Sequence, residues 1–289
     1  MTKFPVSANW VRERNLGDVI EPGVIDDQDL LRVHSSAYVQ SIRTGHYNDA
    51  TKLRLGLPWS AQLSERSHRA TAGTLRAAHA AMQDGIAANL AGGTHHAFPD
   101  RGEGFCVFND VAVAIRSLQA SEPWYRFMVI DLDAHQGNGT HFIFRSDPNV
   151  FTYSVHVGRN YPSKKEPGTL DVELTRYAGA DEYFTRVRDT LPRALGEFEP
   201  DLVFYIAGAD VHEDDQFGQM KLSTADMRER DRYTIDLCRD ARVPTTVVYG
   251  GGYNRTPDMT AWLHVQTIDV ASQRLARENA TRSGGVLAS

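Results

Sequence analysis

The sequence predicts an α/β fold of three layers, α/β/α, with a mostly parallel central sheet and its site at the strand carboxyl ends. Three observations carry this. Short apolar runs bounded by glycine or polar residues alternate with segments of helical spacing, the pattern of a sheet covered on both faces. The run Phe127-Met128-Val129-Ile130 reads as a strand buried on both faces. The residues able to do chemistry, His95-His96, Asp131 to Asn138, Asp210 and Tyr253, each follow such a run. In an open parallel sheet those ends share one rim, where ligands bind.

In chain order, residues 1–29 mix charge with Phe4, Pro5 and Trp10 and show no long periodic pattern. Leu30 to Ile42 reads as a short helical region and Lys52 to Ser67 as loop-rich. From Thr71, Leu75, Ala78 and Met82 fall at helical spacing, and Gly85 is placed to end that helix in a left-handed conformation. Ile86 to Leu90 reads as a strand that breaks at Gly92-Gly93 into Thr94-His95-His96. After a loop rich in charge and glycine, Asn109 can cap a helix through Val113, Ile115 and Leu118. The central strand and its motif come next, then a strand from Val150 to Val157 and a polar loop through Tyr161-Pro162 to Gly168.

A helix over 181–198 presents Phe184, Val187, Leu191 and Leu195 on one face, with a bend expected at Pro192. Leu202 to Ala207 is a strand ending at Gly208-Ala209-Asp210. Ser223 and Asp226 form a capping box for a helix to Cys238. The strand Thr245 to Tyr249 stops at Gly250-Gly251-Gly252-Tyr253, and a final helix runs through Trp262 and Leu263 to about Glu278, before a frayed tail at Ser283-Gly284-Gly285. No repeat or linker interrupts the pattern, so one domain over 1–289 is expected.

Composition narrows the function classes. The 289 residues can bury a large core, and 24% charged with 41% hydrophobic residues is ordinary for a soluble globule. A net charge of -6 argues against nucleic-acid binding as the main task, because phosphate contacts need a basic face. It suits a cationic substrate weakly. Cys106 and Cys238 are too few for a disulfide framework, and no secretory segment opens the chain. No apolar run approaches the roughly 20 residues of a membrane span. The expected location is the cytoplasm.

Asp133 and His135 lie two apart, so on extended backbone they point to the same side. A catalytic metal site needs a third protein ligand and an open position. Asp210 is the natural third. Two carboxylates and one imidazole suit Zn²⁺, and equally Fe²⁺ or Mn²⁺. The bland alternative makes Asp131 and Asp133 capping groups and ties His135 to a backbone carbonyl; it weakens once the other strand-end groups are counted.

Adjacent His95 and His96 supply proton transfer, since a neutral imidazole can accept a proton from water and return it to a leaving amine. Tyr253 after three glycines can hydrogen-bond a developing oxyanion. The glycine spacing is not that of a dinucleotide loop. Phe105 beside Gly104 can wall a narrow apolar channel, although core packing explains it equally. Cys106 is read as packed, and His34, His68, His79, His141, His156, His212 and His264 as hydrogen-bonding residues without a catalytic part.

Taken together, Gly92-Gly93-Thr94-His95-His96, Gly104-Phe105-Cys106-Val107-Phe108-Asn109-Asp110, Asp131 to Gly139, Gly208-Ala209-Asp210 and Gly250 to Asn254 resemble the successive motifs of the zinc-dependent histone deacetylase superfamily. The similarity runs in order from about Val33 to Trp262. Its segment from Leu53 to Ser67 and its Gly-Glu-Gly-Phe-Cys stretch look closest to the class IV branch and bacterial histone-deacetylase-like amidohydrolases. The resemblance implies an arginase/deacetylase-like α/β fold and hydrolysis of an acylated amine, typically an N6-acyl-lysine of a protein or peptide. By motif position it implies Zn²⁺ on Asp133, His135 and Asp210, His96 as general base and then acid, and His95 as an electrostatic aid. Tyr253 would polarise the acyl carbonyl, Asp131 would sit behind His95, and Asn138 behind His96. A structural K⁺ is implied as well, held by Asp131, Ser154 and main-chain oxygens of Asp133, His135 and Val155.

The chain departs from that pattern in three places. Class I members have Asp where Asn138 stands, so His96 should be less basic here than with a carboxylate behind it. Phe217 falls where many relatives carry a smaller residue near the pocket floor, and with Gly104 and Phe105 it completes the expected substrate-binding set. Lys3-Phe4-Pro5 lies where relatives have just completed a first strand, and the sheet is expected to lack it.

Alternatives within and outside the fold follow. A binuclear manganese site needs another carboxylate soon after the histidine, and Gly137 occupies that place. A deacetylase of acetylpolyamines or another small amide is the nearest alternative, and a silent acyl-lysine-binding module a remote one, since no expected functional residue is lost. The sequence leaves the oligomeric state open.

Overall fold

The computed structural model describes residues 3–284. Along the chain the elements are α1 (Lys3–Glu13), α2 (Asp27–Leu30), α3 (Ser36–Thr44), α4 (Asp49–Leu55), α5 (Ala61–Asp84), β1 (Ile86–Asn89), α6 (Asp110–Ser121), β2 (Phe127–Asp131), α7 (Asn138–Phe144), β3 (Val150–Val157), β4 (Leu170–Leu174), α8 (Ala180–Phe198), β5 (Leu202–Ile206), α9 (Thr224–Asp240), β6 (Thr245–Val248) and α10 (Pro257–Gly284). The strands form one sheet in the order β1-β6-β5-β2-β3-β4, and every neighbouring pair is parallel.

Alternation along the strands builds two cores. Met128 and Ile130 of β2 face one side, with Tyr153 and Val155 of β3, against α8, α9 and α10. Phe127 and Val129 face the other, with Phe204, Ile206 and Val248, against α5 and α6. Both faces are therefore covered, and every residue of β2 and β5 is buried. The chain steps outward from β2 to β3 and β4, then returns to place β5 on the opposite side of β2. The strand order thus reverses between β2 and β5, and the crevice above that reversal is where such a sheet takes ligands.

Several expectations need correction. Residues 1–29 hold helix α1, which packs on α10 through Val11, Val265 and Ile268, while Ser7 and Tyr249 hydroxyls lie 2.5 Å apart. Only Ser7 and Val11 are buried in α1, which explains its weak periodicity. The loop-rich segment 52–67 contains most of α4 and the start of α5; their caps are Asn48 and Ser60, which accept from Thr51 N and Leu63 N. The region 30–42 divides into α2 and α3. The loop to Gly168 leads into β4. Helix α10 continues past Glu278 to Gly284; the tail from Gly285 lies outside the described residues.

Gly85 ends α5 with φ +94°, Asn109 caps α6, and the Ser223–Asp226 capping box opens α9. Among the described residues no strand precedes β1, which forms a sheet edge. Leu16 and Val19, like its Ala88 and like Leu90, pack against the cluster of Val11, Tyr249, Val265 and Ile268.

Candidate active site

Four strand-end loops meet above the reversal. The loop after β1 reaches the one after β6, with Gly250 N donating to Gly92 O at 3.2 Å. A Cβ on Gly93 would lie 2.5 Å from Gly250 N, so this approach requires glycine. Asp110, at the start of α6, anchors the turn by accepting from Gly93 N at 3.0 Å and Thr94 N at 2.7 Å. These contacts position the two histidines that follow.

His95 and His96 are both buried, with ring centroids 4.1 Å apart. His95 Nδ1 lies 2.6 Å from Asp131 Oδ2, and His96 Nδ1 lies 2.7 Å from Asn138 Oδ1. Burial opposes charge on His95, but the carboxylates of Asp131, Asp133 and Asp210 outweigh it and raise the imidazole to about 9. Burial, then the neighbouring His95 and His135, push His96 well below its usual range. Two adjacent imidazoles are thereby driven apart, one toward the charged form and the other toward the neutral one.

Asp133, His135 and Asp210 are buried together, with one donor atom from each within 4.8 Å of the others. His135 Nδ1 lies 3.1 Å from Asp133 Oδ1 and 2.9 Å from Asp210 Oδ2. The second oxygen of each carboxylate is fixed by backbone: Gly251 N donates to Asp133 Oδ2 at 2.7 Å, and Ala134 N to Asp210 Oδ1 at 2.9 Å. Burial, followed by the repulsion of Asp133, lifts Asp210 to about 7. A cation between the carboxylates would relieve that repulsion, so the donor set fits a divalent metal.

Tyr253 sits between the Phe105 and Phe217 rings, with centroids 5.5 and 5.4 Å away, and its N–H donates to Asp215 Oδ2 at 2.6 Å. Burial, then the nearby Cys106 and carboxylates, hold its phenol well above the ordinary range and so protonated. Gly104 and Phe105 occupy the turn between Glu103 and Cys106, which exchange backbone hydrogen bonds at 3.1 and 2.9 Å. Both have positive φ, +55° and +67°. This is the geometry of a primed turn, costly for phenylalanine, and it aims the Phe105 ring at Tyr253.

The structure thus brings His95, His96, Asp133, His135, Asp210, Tyr253, Gly104 and Phe105 to one cavity of about 2090 Å³, which continues beside the edge of β1. Asp131 and Asn138 stand behind the two histidines. Phe217 lines the cavity too, but at 48% exposure it stands at the rim and not at the floor. Asp131 and Ser154 are direct register partners across β2 and β3, with Val155 the next residue of β3.

Sequence reasoning passed over Tyr161, Glu103, Asp215 and Lys3. Tyr161 follows the carboxyl end of β3 and packs edge-on against His96 at 5.0 Å, so the strand-end rule that selected the others also reaches it. Lys3 Nζ donates to Gly252 O at 3.1 Å. That contact carries no local signal, because α1 and the loop after β6 meet only in the folded chain.

Fold and rim together are those of the arginase/deacetylase class of α/β enzymes. Residues 4–268 match the histone deacetylase domain, and the chain belongs to that family, whose members hydrolyse amide bonds. An uncharacterized protein of Picosynechococcus is 41% identical over 81% of this chain and 78% of its own length. Histone deacetylase 2 of Arabidopsis thaliana is 30% identical over 88% of this chain and 67% of its own, and the acetoin utilization protein AcuC of Bacillus subtilis 29% identical over 88% and 72%. A crystal structure of an HDAC homologue complexed with SAHA shares the fold at a TM-score of 0.77, with 23% identity, 92% of this chain and 77% of the other covered.

Proposed function

We propose that the chain, acting as one catalytic domain, is a Zn²⁺-dependent amidohydrolase that removes acetyl or longer acyl groups from N6-acyl-lysine. The observation that supports this most is the meeting of a buried Asp/His/Asp donor set with two oppositely tuned histidines in one cavity. Asp133, His135 and Asp210 would hold the ion, which when bound polarises a carbonyl and makes water more acidic. His96, neutral, takes a proton from the attacking water and passes it to the leaving amine. His95, held by Asp131, contributes positive charge beside the developing oxyanion. The Tyr253 phenol donates to that oxyanion. Phe105 and Tyr161 flank the approach and keep the acyl stem out of water.

A structural K⁺ beside Asp131 and Ser154 belongs to the same reading, as does a cytoplasmic setting, in which the two buried free thiols Cys106 and Cys238 stay reduced. No described helix is long and apolar enough to cross a membrane.

The test is acyl release from acetyl-, butyryl- and longer acyl-lysine peptides and from acetylpolyamines, with and without chelator and added Zn²⁺. Chelator-sensitive turnover of the peptides is expected; turnover of acetylpolyamines alone would move the substrate to small amines. The Asp210→Ala variant should lose bound zinc, and an unchanged zinc content would overturn the ligand set.

A further inference from the structure

Glu103 has no part in the roles above, yet it ends a hydrogen-bond chain that reaches the base. Its Oε1 accepts from Asn138 Nδ2 at 2.9 Å and from Tyr161 Oη at 3.3 Å, and Arg101 Nε lies 3.6 Å from Oε2. Asn138 Oδ1 accepts in turn from His96 Nδ1 at 2.7 Å. An ionised carboxylate only accepts hydrogen bonds, whereas a side-chain amide accepts at one end and donates at the other. We propose that Glu103 is a positioning residue that sets the tautomer of His96. By taking the Asn138 NH₂ it turns the amide oxygen toward His96, so Nδ1 carries the proton and Nε2 keeps the lone pair a base needs. This rests on the reading of His96 as the base.

The surroundings make the direction consequential. Asn138 is 2% exposed and His96 5%, so water cannot satisfy an amide that has turned round. Glu103 itself is clamped at its backbone by the paired hydrogen bonds to Cys106. Without an acceptor at 103, Asn138 can present its NH₂ to His96 Nδ1. That nitrogen would then accept, the proton would sit on Nε2, and the base would be lost. In Glu103→Gln, Arg101 draws the new amide's oxygen, which leaves its NH₂ facing Asn138 and the Tyr161 hydroxyl; the hydroxyl can turn to accept, and the Asn138 amide reverses.

The experiment compares the parent, E103Q, N138D and the double variant E103Q/N138D. In the double variant a carboxylate at 138 accepts from both the glutamine NH₂ and His96, which restores the original tautomer; N138D alone opposes two carboxylates. In zinc-loaded, ¹⁵N-histidine-labelled protein, with His96 assigned by comparison with His96→Phe, NMR should show Nδ1–H in the parent and Nε2–H in E103Q. kcat should fall about 10²-fold in E103Q, the scale of general-base catalysis, with KM and zinc content unchanged. The double variant should regain most of that loss and exceed N138D. An unchanged tautomer in E103Q, or a double variant no better than E103Q, overturns the proposal. A parent that turns over no acyl substrate counts against the catalytic reading, while the tautomer measurement still decides the role of Glu103.

Discussion

At the residue scale, Tyr253 and Gly104 make the sharpest claims. The Tyr253 phenol remains a donor because burial, Cys106 and the carboxylates around it all oppose ionisation. Tyr253→Phe removes that donor and little else, so kcat should fall by about 10²-fold or more, as for one oxyanion donor. Zinc content should stay at the parent's level, and full activity would take Tyr253 out of the mechanism. Gly104 has φ +55°, and a Cβ there would lie 2.6 Å from His96 Cδ2 and 3.0 Å from the Tyr161 ring. Gly104→Ala should therefore cost about 1–3 kcal/mol in backbone strain and displace the His96 ring. Activity should fall further than the shift in urea midpoint explains; equal losses would mean that His96 had not moved.

At the scale of elements, the rim depends on how helices are tied beneath it. Asp110, at the N-terminus of α6, holds the turn that carries both histidines. Helix α10 is anchored to α9 by Glu278, which accepts from Arg239 Nε at 3.0 Å and Arg274 Nε at 2.9 Å. Those partners, Arg239 first, lower the Glu278 carboxyl from 4.5 to about 2. The depressed value means that its stabilisation is fully present above pH 4.5 and is lost as pH falls toward 2. Since the group is partly open to solvent, Glu278→Gln should cost about 1 kcal/mol near neutrality. Urea midpoints across pH should show the gap to the parent closing between pH 4.5 and 2. A gap that persists on acidification would deny the pair its role.

For the whole molecule, one buried side chain links the two strand ends that carry Asp133 and Asp210. Arg230, 1% exposed, donates through Nη1 to Gly208 O at 2.7 Å and Leu132 O at 3.3 Å, and its Nη2 lies 2.7 Å from Asp231 Oδ1. Asp231 is further held by Tyr205 and Thr267. Arg230→Met would leave Asp231 buried without its cation, at a cost of about 3–5 kcal/mol. The measurement is urea unfolding with a parallel zinc titration. A loss of stability together with weaker zinc binding is expected, whereas near-parent values for both would remove Arg230 as a tie between the loops of Asp133 and Asp210.

What the sequence determined by itself was local or repeated. Fully apolar runs gave away the buried strands, caps such as Asn109 and Ser223 marked helix starts, and the strand-end rule collected the histidines, Asp133, His135, Asp210 and Tyr253. Each follows from chemistry within a few residues, or from a topology that gathers strand ends along one rim. Elements with a thin buried stripe, such as α1, and the edge strand β4 escaped because their stability comes from partners far along the chain. Tertiary structure alone decided that Glu103 stands behind Asn138, and that Phe217 lies at the rim. It alone brought Glu103 and Lys3 to the site and Arg230 beneath it. Hydrogen-bond direction and burial are properties of the folded neighbourhood, and the pKa of each imidazole follows from them.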